Sequence, residues 1–240
     1  MISIAHFSRL FAIALTSLLT GEVIGQWDAR IVAGGGFGRI RSDESPLPNR
    51  GEYQVVEVRP SFLLGASLGH KIAGPLNFSI GMHWVMLNGH DEYWILDYKY
   101  SEADRRIHYV FVPMLAQFVF HGVHLGLGYQ LGVPFSEHGA FATYYSAYGL
   151  EDVYSSTRRL GIKKTDIGVV VEGGYHLTGR FDLAARYYHG LQNIKDPKDG
   201  TTGQLYTEQL MLSIGYRMVC QRKAKPTDET PLAPAGRPIE

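Results

Sequence analysis

Ser67 stands in Gly65-Ala66-Ser67-Leu68-Gly69, the G-x-S-x-G spacing that serine hydrolases use to expose a nucleophile. That chemistry is acyl transfer, and it needs the serine on a strained turn leading straight into a helix. Here the run continues an alternating pattern with no helical segment after it. Ser67 falls on the same side as Gly65 and Gly69, which reads as small residues filling a narrow interior. Gly34-Gly35-Gly36-Phe37-Gly38 has the composition of a phosphate-cradling loop, but Arg39, Ile40, Arg41 and a Pro-bearing segment follow where a helix N-terminus is required. Ser136, Glu137 and His138 offer the residue types of a lipid-modifying hydrolase, though adjacency in one segment fixes no catalytic geometry. His83, His121, His124 and His138 show no metal-ligand spacing. The sequence thus assigns no catalytic, cofactor-binding or metal-binding residue, and no cofactor is expected.

The elements that carry these residues are strands. Between residues 166 and 177, Ile167, Val169, Val171, Tyr175 and Leu177 interleave with Asp166, Gly168, Glu172, Gly174 and His176. A period of two places the two sets on opposite faces. The same alternation recurs at 30–39, 53–69, 76–88, 107–120, 122–135, 164–177, 181–191 and 204–218. Each run reaches the roughly 9–11 tilted residues that cross a bilayer as a strand. Short turns at 70–75, 121–122 and 178–180 alternate with long segments at 40–52, 89–106, 136–163 and 192–203. Short turns on one side and long loops on the other is the asymmetry of outer-membrane barrels.

The polar face decides between membrane and water. Gly126, Gly128, Gln130 and Gly132 face away from Leu125, Leu127, Tyr129 and Leu131, and every lysine falls in a turn, loop, strand end or tail. A water-facing exterior would carry Lys and Glu instead. Apolar residues therefore face lipid and the polar set faces a packed lumen. Glu57, Asp166, Glu172 and Asp182 are expected there, opposite Arg59, Arg186 and Arg217, because buried charges need partners. An unpaired sheet edge in hydrocarbon costs several kcal/mol per group, so the sheet must close. The fold expected is all-β: a closed eight-stranded antiparallel up-and-down transmembrane β-barrel without an open pore.

Residues 1–25 read as a signal peptide for export, with Arg9 ahead of an apolar run at 10–19 that is too short for a membrane helix. The barrel then occupies 26–218, and the polar, Pro-bearing 219–240 is expected to be a disordered periplasmic tail. The single cysteine, Cys220, excludes an internal disulfide. Acidic and basic side chains balance at 23 each, so no global field recruits nucleic acid.

Lys163–Leu177 (KKTDIGVVVEGGYHL) running into Arg180–Ile194 (RFDLAARYYHGLQNI) resembles the closing hairpin of the PorT-like outer-membrane β-barrel family of Gram-negative bacteria. Asp166 with Gly168, Gly173-Gly174-Tyr175, and Arg186-Tyr187 before Gly190-Leu191 and Asn193 carry the likeness. Tyr109 with Pro113 is similar to that family's fourth strand, and Gln209–Met218 to its last. Phe111 departs from the pattern, standing where an inward acid is common, and the last strand ends on Met218 rather than an aromatic. The resemblance implies a location in the Gram-negative cell outer membrane. One relative's association with protein secretion makes an accessory secretion role an alternative.

The functional expectation is a structural or interaction barrel with a plugged polar lumen, not an enzyme. Its alternatives are a lipid-modifying hydrolase and a secretion accessory. Expected partners are outer-membrane lipids and a protein met through the long outer loops or the tail. The aromatic runs at 92–100 and 141–154 read first as a membrane-interface girdle and second as contact anchors.

Overall fold

The structure, a computed structural model, describes residues 27–42, 52–95, 98–147, 150–158, 162, 165–177, 180–195 and 204–218. The export segment and the tail lie outside them. The strands are β1 (Trp27–Ser42), β2 (Glu52–Ala73), β3 (Leu76–Ile95), β4 (Tyr98–Phe120), β5 (Val123–Ala147), β6 (Leu150–Arg158), β7 (Asp166–His176), β8 (Phe181–Gly190) and β9 (Leu205–Met218).

Eight of them close a ring. Each of β1 to β5 pairs antiparallel with its successor, β5 then pairs with β7, and β7, β8 and β9 follow in turn. β9 returns to β1, from Ala29↔Met218 to Ser42↔Leu205. The fold is therefore an all-β, eight-stranded, up-and-down antiparallel ring, as expected from the alternation. The ninth strand, β6, pairs along its described length with the upper part of β5, from Gly139↔Arg158 to Ala147↔Leu150.

The outward face is a band of aliphatic and aromatic side chains. Leu125, Leu127 and Tyr129 on β5 and Leu210, Leu212 and Ile214 on β9 are all exposed. A water-soluble barrel could not leave such a belt open, whereas hydrocarbon accepts it at no cost. Gly128 shows why the inner positions are small: a Cβ there would overlap the Met114 carbonyl oxygen on β4.

Three expectations need correction. The segments 89–106 and 136–163 are not loops over most of their length, because β3 and β4 stay paired to Ile95↔Tyr98 and β5 runs on to Ala147. At about 3.3 Å per residue, the β3–β4 hairpin runs roughly 30 Å along the strand beyond Met86. Once past the lipid, charged and apolar residues can share a face, so the alternation that marks a membrane strand fades. The lumen is also not polar throughout. Ile40, Leu87, Ile107 and Ile194 are fully buried inside the ring with Tyr109, Phe111 and Tyr188. Finally, Glu57 and Arg59 pair with each other at 2.8 Å but are more than two-fifths exposed. The register shift between Val58 and Phe62 removes them from the interior set. Pro60, which has no N–H to give a ladder, lies within that shift.

Candidate functional site

Inside the ring the polar side chains form tiers. The tier nearest the short turns joins β1, β8 and β9. Arg217 Nη2 donates to Asp182 Oδ1 at 3.2 Å, Arg30 Nη1 lies 3.4 Å from Asp182 Oδ2, and Arg217 Nε lies 3.0 Å from Asp28. His176 Nδ1 lies within hydrogen-bonding distance of Asp182 Oδ1, at 2.5 Å.

The next tier centres on Glu172 of β7. Its Oε2 accepts from Arg186 Nε at 2.9 Å and from Arg186 Nη2, and its Oε1 accepts from Gln117 Nε2 at 2.9 Å. Arg186 Nη1 also donates to His83 Nδ1 at 2.7 Å, a contact that crosses the lumen from β8 to β3. His124 Nε2 approaches Glu172 at 3.5 Å, too far for a strong hydrogen bond. A small cavity of about 30 Å³, room for ordered water, lies among Glu172, Arg186, Gln117, His124, Asp182 and their neighbours.

Above lies the aromatic tier. Tyr109 and Phe111 stack at 4.8 Å, and Phe111 meets Tyr188 at 5.3 Å. Phe111, where an inward acid is common, is fully buried between these two rings. Asp166 is held by hydroxyl groups rather than by an arginine, accepting from Tyr188 Oη at 2.9 Å and Thr207 Oγ1 at 2.5 Å. Ile194 is buried with this tier, its N–H donating to the Leu205 carbonyl at 2.8 Å.

The hydrolase candidates do not converge. Glu137 turns inward and its Oε2 accepts from the Ile162 N–H at 3.0 Å, while His138 is exposed. Ser67 lies within β2 on the inner face beside the small cavity, with no helix after it. Gly34 to Gly38 lie within β1. His121 sits in the left-handed region (φ 49°) of the β4–β5 turn, and His83 and His124 belong to the interior tiers.

Sequence reasoning missed the charged cluster on the projecting hairpin. His90, Glu92 and Glu102 bring ligand-type atoms within 4.8 Å of one another. Lys99 already occupies the centre, with Nζ 2.5 Å from Glu92 and 2.7 Å from Glu102. That bond holds both carboxyls below their ordinary range and raises the ammonium above its own. Lys99 also lies over the Tyr144 ring at 5.8 Å, tying this hairpin to β5. The i, i+2 spacing of His90 and Glu92 was the one legible signal. The aromatic run at 92–100 goes to this hairpin too, not to a girdle: Trp94 stacks on Tyr53 at 5.9 Å and Tyr93 meets Tyr100 edge-on at 6.1 Å.

No curated protein matches the chain. Among solved structures it is similar to Neisserial surface protein A, with 15% identity over 79% of this chain and 97% of that one and a TM-score of 0.41. It is similar to Ail, the attachment invasion locus protein of Yersinia pestis, with 13% identity, 80% and 99% covered and a TM-score of 0.41. For OprG from Pseudomonas aeruginosa the values are 11%, 81% and 98%, and 0.37. Residues 26–196, most of the ring, match the outer membrane protein beta-barrel domain family. The chain belongs to that family and is an outer-membrane β-barrel.

Proposed function

We propose that this protein is a PorT-like outer-membrane barrel with a sealed lumen, serving as a structural and interaction element rather than a pore or an enzyme. The observation that carries the reading is the filled interior: three tiers of paired charges and stacked aromatics, with a cavity of only about 30 Å³ at the Glu172–Arg186 level. A conducting barrel keeps its lumen open to solvent, and here the inward side chains meet across it. The Asp166, Arg186 and Tyr109 positions support the PorT-like assignment, since these three residues of the resemblance also build the tiers.

Contacts with a protein partner fall to the sheet that projects outside. There β3, β4, β5 and β6 remain paired beyond the apolar band, and β6 has a ladder partner on one side only among the described residues. Backbone groups along such an edge are available to another strand. Export through residues 1–25 fits this location.

Single-channel recording of the folded protein in planar bilayers tests the sealed lumen. No conductance steps are expected, and steady ohmic current would sink the proposal. A deletion strain should also keep its lipid A acylation pattern unchanged by mass spectrometry. A lost or gained acyl chain would favour the hydrolase.

A further inference from the structure

The outward face of β3, β4 and β5 changes character over one step. Met86, Val110 and Phe135 end the apolar band, and Asn88, His108, Arg106 and His138 come directly above. Trp84 stacks on His108 at 5.8 Å and His108 meets Phe135 at 5.9 Å, an aromatic rim of the kind found at headgroup level. A groove of about 680 Å³ opens at this height, and Arg59, Arg105, Arg106, His108 and His138 line it against one carboxylate, Asp104.

Most of these groups are already engaged. Arg59 pairs with Glu57, Arg105 with Asp91, and Asp104 with His90 Nδ1 at 2.8 Å. Arg106 is different. It is exposed, its Nε donates to Asn88 Oδ1 at 3.1 Å, and it makes no ion pair among the described residues. Asn88 is itself held, its Nδ2 donating to the Pro60 carbonyl at 2.6 Å. The guanidinium is thus oriented through one edge while its other donors stay uncommitted. A planar fork with free donors, beside two imidazoles, suits an anionic oxygen set rather than a neutral sugar, and at headgroup height the anion at hand is a phosphate.

We propose that this groove binds a phosphate monoester, with Arg106 as its principal donor and His108 and His138 beside it, and that the phosphate is presented by a glycolipid headgroup of the outer leaflet. A headgroup is favoured over a soluble anion because the groove begins where the lipid-facing side chains stop. The Arg39–Arg41–Glu208 cluster at a similar height on β1 and β9 lacks this feature, since Glu208 answers both arginines.

The test uses the folded full chain in zwitterionic micelles, titrated with bisphosphorylated lipid A, with dephosphorylated lipid A, and with inorganic phosphate. Lipid A should bind at least tenfold more tightly than its dephosphorylated form. Arg106→Gln should weaken lipid A binding about tenfold, as loss of a hydrogen bond to a charged group does. His138→Gln should weaken it less, and Lys71→Gln, at the β2–β3 turn on the opposite rim, should leave it unchanged. Heat-modifiable gel mobility confirms that each variant is closed. Equal affinity for the two lipids, or wild-type binding by both Arg106→Gln and His138→Gln, would overturn the proposal. Inorganic phosphate binding as tightly as lipid A would overturn the headgroup assignment in favour of a soluble anion.

Discussion

Replacing Glu172 by alanine removes the acceptor that Arg186 reaches through Nε and Nη2, and that Gln117 reaches through Nε2. Arg186 would then keep only His83 Nδ1, 2.7 Å from its Nη1, in a position 8% exposed. Breaking a buried pair from one side costs about 3–5 kcal/mol, because the remaining charge stays uncompensated. The loss at Gln117 does not simply add to this, since the groups act as one network. Against a typical total of about 5–15 kcal/mol, Glu172→Ala should lower the urea midpoint of the vesicle-refolded barrel sharply. The double replacement Glu172→Leu with Arg186→Met removes both charges and should cost little or even stabilise. Equilibrium unfolding followed by tryptophan fluorescence and by gel mobility reads both variants against the wild type. A cost below about 1 kcal/mol for Glu172→Ala would refute the reasoning, since only water reaching Arg186 could soften the loss that far. The sealed lumen would fall with it.

Leu127, on the outward face of β5, tests the lipid side: Leu127→Arg should cost about 2–4 kcal/mol in bilayers, and a neutral outcome in the same unfolding assay would mean the belt does not face hydrocarbon. Gly128→Ala should lose about 1–3 kcal/mol and refold poorly, because the new Cβ meets the Met114 carbonyl. Gly35→Ala, whose Cβ would sit 3.8 Å from the Ser61 carbonyl, should be tolerated, and equal effects at the two sites would show the close approach does not matter. For the projecting hairpin, the lowered carboxyls of Glu92 and Glu102 set the sign of the pH dependence. Their contribution is fully present above the ordinary carboxylate pKa of about 4.3 and is lost as pH falls through the lowered values. Amide exchange near Glu92 and Glu102 should therefore stay slow from neutral pH down to that range and quicken below it; fraying that begins near pH 6 would contradict the Lys99 bond.

The ring was legible in the sequence because one physical rule governed every residue in it. Within hydrocarbon a strand has a lipid side and a lumen side, and Asp166 to Leu177 could not satisfy both without alternating. Interior pairing was legible only in part. That Glu172 and Asp182 meet Arg186 and Arg217 in the lumen followed from charge neutrality, though not which acid takes which base, and Asp166 found Tyr188 and Thr207 instead. A hydroxyl partner leaves no complementary charge to look for. Glu57 and Arg59 were misplaced because the Pro60 irregularity shifts register, and a one-residue shift exchanges the faces of a strand. β6 and the outer parts of β3, β4 and β5 were hidden for a different reason. Above the bilayer no face has to stay apolar for lipid, so residues such as His90, Glu92 and Trp94 can follow each other on one face without penalty.

That change of solvent also locates the membrane boundary from the chain alone. On β4 the outward series runs Phe120, Phe118, Ala116, Met114, Val112, Val110 and then His108 and Arg106. Phe120 to Val110 is about 33 Å along the strand at about 3.3 Å per residue. A strand tilted by about 40° turns this into about 25 Å of height, the thickness of the apolar band in outer-membrane barrels. The first imidazole and the first guanidinium therefore appear where hydrocarbon should end. The same boundary accounts for the ion pairs on the outer surface of β1 and β9, where Phe37 and Leu210 give way to Arg39 and Glu208 within two residues. Charge returns to the lipid-facing side of the strands as soon as water is there to solvate it, and the sheet keeps growing because pairing no longer depends on closure.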